Sequence, residues 1–273
     1  MAQLQNPPFA EVADIARHFV RARLEGSPLP GFPGAMPASL DAAYAVQDIA
    51  MALWPDEVRG WKVGRILEPW LSRVGVDRLV GPIFARGIRE VGMGREQLRM
   101  PVFRGGFAAV EAEFIVRLAA DAPPGKTQWT VREANEIAGD LHVGVEPAGS
   151  PLAPINDLGP IAVVSDFGNN AGLIVGPVIR GWREFSFDQF SSETFIDGHS
   201  VGRGTAESVP GGPLAALAFA LGCCAQRGRP LKAGQFISTG ATTGVHQIQP
   251  GQSARVVFRG VGEIHCLAVA GPC

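Results

Sequence analysis

Glu111 and Glu113 lie in the run Val110-Glu111-Ala112-Glu113-Phe114-Ile115-Val116-Arg117-Leu118, which is rich in β-branched and aromatic residues and predicts a strand. Successive side chains of a strand point to opposite faces, so the two carboxylates share one face. Like charges side by side repel and weaken a sheet unless a cation sits between them. Two readings follow. A hard divalent cation such as Mg²⁺, Ca²⁺ or Mn²⁺ binds between the carboxylates, or both face water on an exposed sheet.

Other residues of chemical interest recur along the chain. Lys62 sits in Val58-Arg59-Gly60-Trp61-Lys62-Val63-Gly64, a short strand pattern bracketed by glycines. An ammonium among apolar residues either has an anion nearby or snorkels from an edge strand to solvent. Leu141-His142-Val143-Gly144-Val145-Glu146-Pro147 alternates in polarity and places His142 and Glu146 on one face. Ile161–Asp166 is taken as a strand ending in Asp, running into Phe167-Gly168-Asn169-Asn170, a site loop or simply a turn. Ser238-Thr239-Gly240-Ala241-Thr242-Thr243-Gly244-Val245-His246 is rich in N–H and hydroxyl donors. It could cradle a carboxylate or enolate oxygen, or serve as a wide hairpin connection.

The elements that must position these groups are partly legible. Apolar residues Val12, Ile15, Ala16, Phe19 and Val20 predict a helix over 10–24. Ser39 is an N-cap for a helix from Leu40 to about Leu53. Thr130 and Glu133 form a capping-box pattern for a helix to about Ala138. Leu214 to about Gln226 is a core helix, Phe195–His199 a strand with an Asp-Gly turn, and further strands are expected at 79–84, 99–103, 173–175, 235–239, 254–258 and 263–269.

Composition narrows the class. With 273 residues, 46% hydrophobic and 18% charged, the chain can bury a sizeable core, and 35 Gly and 22 Pro favour a loop-rich β architecture. A net charge of −2 gives no basis for nucleic-acid binding. No apolar run is long enough for a membrane span, no leader pattern opens the chain, and a cytoplasmic protein is expected. Cys223, Cys224, Cys266 and Cys273 lack CxxC spacing. No GxGxxG, GxxxxGK[ST] or GxSxG motif occurs.

Taken in order, Tyr44-Ala45-Val46-Gln47, Gly60-Trp61-Lys62-Val63-Gly64, Glu111-Ala112-Glu113, Val145-Glu146, Val164-Ser165-Asp166, Gly202-Arg203-Gly204, Pro213–Ala218, Leu231-Lys232-Ala233-Gly234 and Thr239-Gly240-Ala241 resemble the hydratase/decarboxylase branch of the fumarylacetoacetate hydrolase superfamily. The resemblance implies an α+β fold with a mixed β-sandwich or β-roll core, divided into an N-terminal α/β portion (1–80) and a β-roll catalytic domain (81–273). It implies one Mg²⁺ or Mn²⁺ on Glu111, Glu113 and Glu146, catalytic roles for Lys62 and Asp166, and substrate contacts from Asn169, Thr239 and Gly240, with His246 as an added polar group. The expected activity is hydration of a 2-hydroxy-2,4-dienoate, derived from a small 2-oxo acid, to a 4-hydroxy-2-oxo acid. The alternatives are decarboxylation of a 2-oxo-3-enedioate and an inactive partner subunit. A homo-oligomer and a hydratase–decarboxylase association are further expectations. The chain departs from the family at Val80, where an acidic residue is expected, and at Gly212, where a His is expected.

Overall fold

The computed structural model describes residues 9–92 and 96–271, so the first residues and Cys273 lie outside the described residues. Among the described residues six α-helices form: α1 (Phe9–Glu25), α2 (Leu40–Leu53), α3 (Leu71–Val74), α4 (Val131–Ile137), α5 (Pro160–Ser165) and α6 (Gly212–Gln226). The caps explain the sharp boundaries. Ser39 Oγ accepts from the Ala42 N–H at the start of α2, and Thr130 and Glu133 satisfy each other's backbone donors at α4. Helix α1 turns Ile15, Ala16 and Phe19 inward, each fully buried.

The described residues also form thirteen strands: β1 (Val58–Arg65), β2 (Arg78–Phe84), β3 (Ile88–Glu90), β4 (Gln97–Val102), β5 (Phe107–Leu118), β6 (Ala138–Ser150), β7 (Leu173–Val178), β8 (Ser191–Ile196), β9 (His199–Thr205), β10 (Phe236–Ser238), β11 (His246–Gln247), β12 (Ser253–Phe258) and β13 (Gly262–Ala270). They make an eight-stranded mixed sheet, ordered β2-β1-β10-β5-β6-β7-β3 with β11 also on β5, and a five-stranded sheet ordered β4-β13-β12-β8-β9. Strands β5 and β6 pair antiparallel over nearly their whole length and form the spine of the larger sheet. The smaller sheet packs on one face of that spine, where Phe258 and Phe190 lie with ring centroids 5.6 and 6.1 Å from Phe114. Among the described residues no helix is long and apolar enough to cross a membrane.

One expectation is corrected. Ile161–Ser165 belongs to a helix, not a strand: Pro160 occupies its first turn, Gly159 enters it at φ +87°, and Ser165 Oγ donates to the Ile161 carbonyl. A short apolar run carries no periodicity that separates a buried strand from a buried helical turn. The division expected at residue 80 falls within the larger sheet. It cuts β2, which pairs with β1, which in turn pairs with β10 beside β5. Strands β1 and β2 therefore belong to the same hydrogen-bonded sheet as the glutamate strands.

Candidate metal and substrate site

Register places the charged residues together. Across β5 and β6, Glu111 stands opposite Glu146, and Glu113 stands opposite Gly144, where a Cβ would lie 2.1 Å from Ile115 Cδ1. On the next strands Lys62 pairs with Ser238, and Ser238 with Ile115, so Lys62 and the three glutamates share one face. The face is buried: Lys62 and Glu111 are each 6% exposed, Glu113 and Glu146 not at all. The exposed-sheet reading of the glutamates and the edge-strand reading of Lys62 are thereby excluded.

Glu113 and Glu146 are each only half satisfied by the protein. Glu113 Oε2 accepts from Ser238 Oγ at 2.5 Å and from the Gly240 N–H at 2.9 Å. Glu146 Oε1 accepts from Asn170 Nδ2 at 3.0 Å and lies 3.1 Å from Lys62 Nζ. The remaining oxygens, Glu113 Oε1 and Glu146 Oε2, are buried without a hydrogen-bond partner among the described residues. One oxygen from each of Glu111, Glu113 and Glu146 lies within 4.8 Å of the others. Buried carboxylate oxygens left unpaired are costly, and three carboxylates against one ammonium leave two negative charges when all are ionised. The donor set, all hard oxygen, fits a hard divalent cation that would satisfy those oxygens and cancel that charge.

Electrostatics follow from this crowding. Burial raises the Glu111 carboxyl to about 7; Lys62 opposes that rise and Glu146 adds to it. Burial, then the neighbouring Glu146 and Glu111, push Glu113 well above the usual carboxylate range. For Lys62, burial disfavours the ammonium, but the fields of Glu146, Glu111 and Glu113 outweigh it and hold the group protonated above its ordinary range.

The turn after α5 closes over this face. Phe167, Gly168 and Asn169 take φ values of +53°, +68° and +62°, three successive left-handed residues. For non-glycine residues such geometry costs on the order of 1–3 kcal/mol each and persists only where the surroundings enforce it. The turn approaches β2 so closely that a Cβ on Gly81 would lie 2.2 Å from the Phe167 carbonyl oxygen. A Cβ on Gly168 would lie 3.2 Å from Lys62 Cδ.

Other residues singled out in the sequence fall as follows. Thr239 is buried beside the glutamates, but its hydroxyl donates to the Phe114 carbonyl at 2.7 Å, so it anchors the 239–246 loop. Gly240 serves the site through its N–H on Glu113. Asn169 is buried, with Nδ2 3.4 Å from Asn156 Oδ1 and Oδ1 unpartnered. Asp166, expected to be catalytic, is a buried ion-pair partner of Arg23. Its Oδ1 accepts from Arg23 Nε at 2.5 Å and its Oδ2 from Arg23 Nη2 and Ser150 Oγ. His246 is also not brought to the glutamates. It pairs with Val110, on the opposite face of β5, and its Nε2 lies 3.1 Å from Thr243 Oγ1. His142 is buried with Nδ1 on the Gly176 carbonyl, a packing role. At Gly212 a side chain has no room, because φ is +75° and a Cβ would lie 2.6 Å from the Phe187 ring.

Sequence reading missed four contributors. Ser238 and Asn170 hold Glu113 and Glu146, Gln47 ties the carbonyls of Val80 and Val164 together, and Arg23 grips Asp166 from α1. Only the long-range fold brings these pairs together, so spacing carries no trace of them.

No family model matches the chain. A 104-residue stretch, 37% of the chain, is 31% identical to a 4-oxalocrotonate decarboxylase of a Pseudomonas species and spans 39% of that protein's length. A second 4-oxalocrotonate decarboxylase, from Pseudomonas putida, is 28% identical over 104 residues and is likewise matched over 39% of its length. Among solved structures, the 4-oxalocrotonate decarboxylase of Pseudomonas putida G7, complexed with magnesium and adipate, superposes with a TM-score of 0.79 at 21% identity, covering 97% of this chain and all of that one. Fumarylpyruvate hydrolase from Pseudomonas aeruginosa, with Mn²⁺ and pyruvate, gives 0.56 at 16% identity over 79% of this chain and 91% of that one. The chain thus has the fold of the fumarylacetoacetate hydrolase superfamily, as the resemblance implied.

Proposed function

We propose that the chain is a divalent-metal-dependent enzyme that decarboxylates a 2-oxo-3-enedioate of the 4-oxalocrotonate type. The observation that carries this reading is the buried trio Glu111, Glu113 and Glu146 with Lys62 3.1 Å from Glu146, in a chain whose matched relatives are decarboxylases. The three glutamates would hold Mg²⁺ or Mn²⁺, and the ion, when bound, supplies Lewis acidity toward a 2-oxo acid. Lys62, kept cationic by its neighbours, anchors the substrate's 1-carboxylate or delivers a proton. The bond to the terminal carboxylate breaks and CO₂ leaves. Its electron pair passes along the conjugated chain to the 2-oxo oxygen, where a proton gives a 2-hydroxy-2,4-dienoate. Asn170, Ser238 and the Gly240 N–H fix the carboxylates, and the 167–169 turn shields the face from water.

Hydration, the principal expectation from sequence, requires a group to orient and deprotonate water. The position where an acid was expected is Val80, fully buried on the opposite face, and Asp166 is committed to Arg23. Loss of CO₂ needs no such base. Adipate, bound in the P. putida G7 decarboxylase, is a six-carbon diacid, the same length as a 2-oxohex-3-enedioate. The intact glutamates and Lys62 speak against an inactive partner subunit. Homo-oligomers, or association with a hydratase that consumes the product, accord with this reading.

The test is incubation with Mg²⁺ and either 2-oxohex-3-enedioate or 2-hydroxypenta-2,4-dienoate. Metal-dependent CO₂ release from the diacid is expected. Water addition to the dienoate as the main activity would restore the hydratase reading.

A further inference from the structure

We infer that Arg23, on the first helix, is a positioning residue for both Glu146 and Lys62, acting through the left-handed turn at 167–169; this rests on the metal-site reading above. Arg23 is 2% exposed and its guanidinium makes five hydrogen bonds, all of them to the two ends of that turn and to the neighbouring β6. Nε and Nη2 hold the Asp166 carboxylate, Nη2 also donates to the Asp166 carbonyl at 3.2 Å, and Nη1 donates to the Asn170 carbonyl at 2.8 Å. A further bond from Nη2 to the Gly149 carbonyl at 2.9 Å ties the turn to the strand that carries Glu146. The guanidinium carbon also lies 5.1 Å from the centroid of the Phe167 ring. A planar five-donor fork suits this arrangement, and a lysine offers neither the fork nor the stacking plane.

The clamped turn touches the site at two points. Asn170, whose carbonyl Arg23 holds, extends Nδ2 to Glu146 Oε1 at 3.0 Å, and its Oδ1 accepts from the Gly172 N–H, which fixes the amide. Gly168 packs beside the Lys62 methylene stem. Three consecutive left-handed residues do not hold that shape unaided. Released from Arg23, the turn would relax, and Glu146 and Lys62 would lose their shared support together.

Binding of Mn²⁺ to the full-length chain tests this, using Arg23→Lys, Asn170→Ala and the double variant, each confirmed folded by circular dichroism. Removing groups that orient metal ligands weakens metal binding by about 10–100-fold, so Arg23→Lys should raise the Mn²⁺ dissociation constant by about 10-fold or more. Asn170→Ala should do the same, and the double variant should be little worse than the weaker-binding single one, because both act through one contact. Turnover at saturating Mn²⁺ should fall as well, since Lys62 is displaced. Arg23→Lys with unchanged Mn²⁺ affinity and turnover, and only a lowered melting temperature, would overturn the inference. Multiplicative losses in the double variant would overturn it too. If Arg23→Lys does not fold, Ser150→Ala and Asn170→Ala decide, and unchanged Mn²⁺ affinity in both would overturn it. An unsubstituted chain that binds no Mn²⁺ would instead overturn the metal reading beneath it.

Discussion

The two faces of the β5–β6 spine use the same strands, the same burial and opposite chemistry. One face presents Val110, Ala112, Phe114, Val116, Val143 and Val145 to the main core, and each is at most 1% exposed. The other presents Glu111, Glu113 and Glu146, which are almost as deeply buried. On the apolar face burial is itself the driving force, and Phe114 meets Phe258 of the smaller sheet there. On the charged face the protein supplies one ammonium, a serine hydroxyl, an amide and a backbone N–H, and two carboxylate oxygens remain unpaired. Burial therefore does not separate core from site in this molecule. The electrostatic balance does, and on one face that balance is incomplete without a cation.

Substitutions on the two faces should give opposite signatures. The largest effect is expected from Glu113→Ala, which should remove metal-dependent turnover and Mn²⁺ binding while leaving the melting temperature unchanged or higher, because a buried, half-satisfied carboxylate is removed. Lys62→Met should keep the fold but lower turnover by about 10²–10⁴-fold, measured at saturating Mg²⁺. Phe114→Ala, one residue from Glu113 but pointing the other way, should cost about 3–5 kcal/mol in denaturant unfolding. Its metal affinity, measured on the folded fraction, should stay within a few-fold of the original. If Phe114→Ala abolishes metal binding as completely as Glu113→Ala, the two faces are not separable.

The pH dependence sharpens the comparison. Burial, opposed by Lys62 and reinforced by Glu146, sets Glu111 at about 7 in the metal-free fold against 4.5 for an unperturbed Glu. Between those values the folded chain binds more protons than the unfolded one, so this group's contribution is present below about pH 4.5 and is lost as pH rises through 7. Metal-free protein should lose stability over that window in thermal scans. Saturating Mg²⁺ should reverse the trend, since the ion binds the deprotonated ligands. The smallest effect is expected at Ser39→Ala, about 1 kcal/mol from a lost N-cap, with no change in metal affinity.

How much of this was legible in the sequence depended on range. Local signals served well: Ser39 and the Thr130–Glu133 box mark where α2 and α4 begin, and alternation in 110–118 placed Glu111 and Glu113 on one face. Where local signals conflict or vanish, less can be read. Ile161–Ser165 carried no period to distinguish helix from strand. The ion pair of Asp166 left no local trace, because its partner, Arg23, is 143 positions away in sequence. His246 looked like a polar group in a donor-rich loop, but its pairing with Val110 turned it to the core side. The depth of the glutamate face was likewise invisible until β1, β10, β5 and β6 were aligned.

The central claim is that the glutamate face is completed by a cation. Its most direct test is a crystal of the unsubstituted chain grown with Mn²⁺ and measured at the manganese absorption edge. One anomalous peak among the carboxylates of Glu111, Glu113 and Glu146, bonded to the now unpaired Glu113 Oε1 and Glu146 Oε2, is the result this account predicts. No peak there, with those oxygens still unpaired, would contradict it.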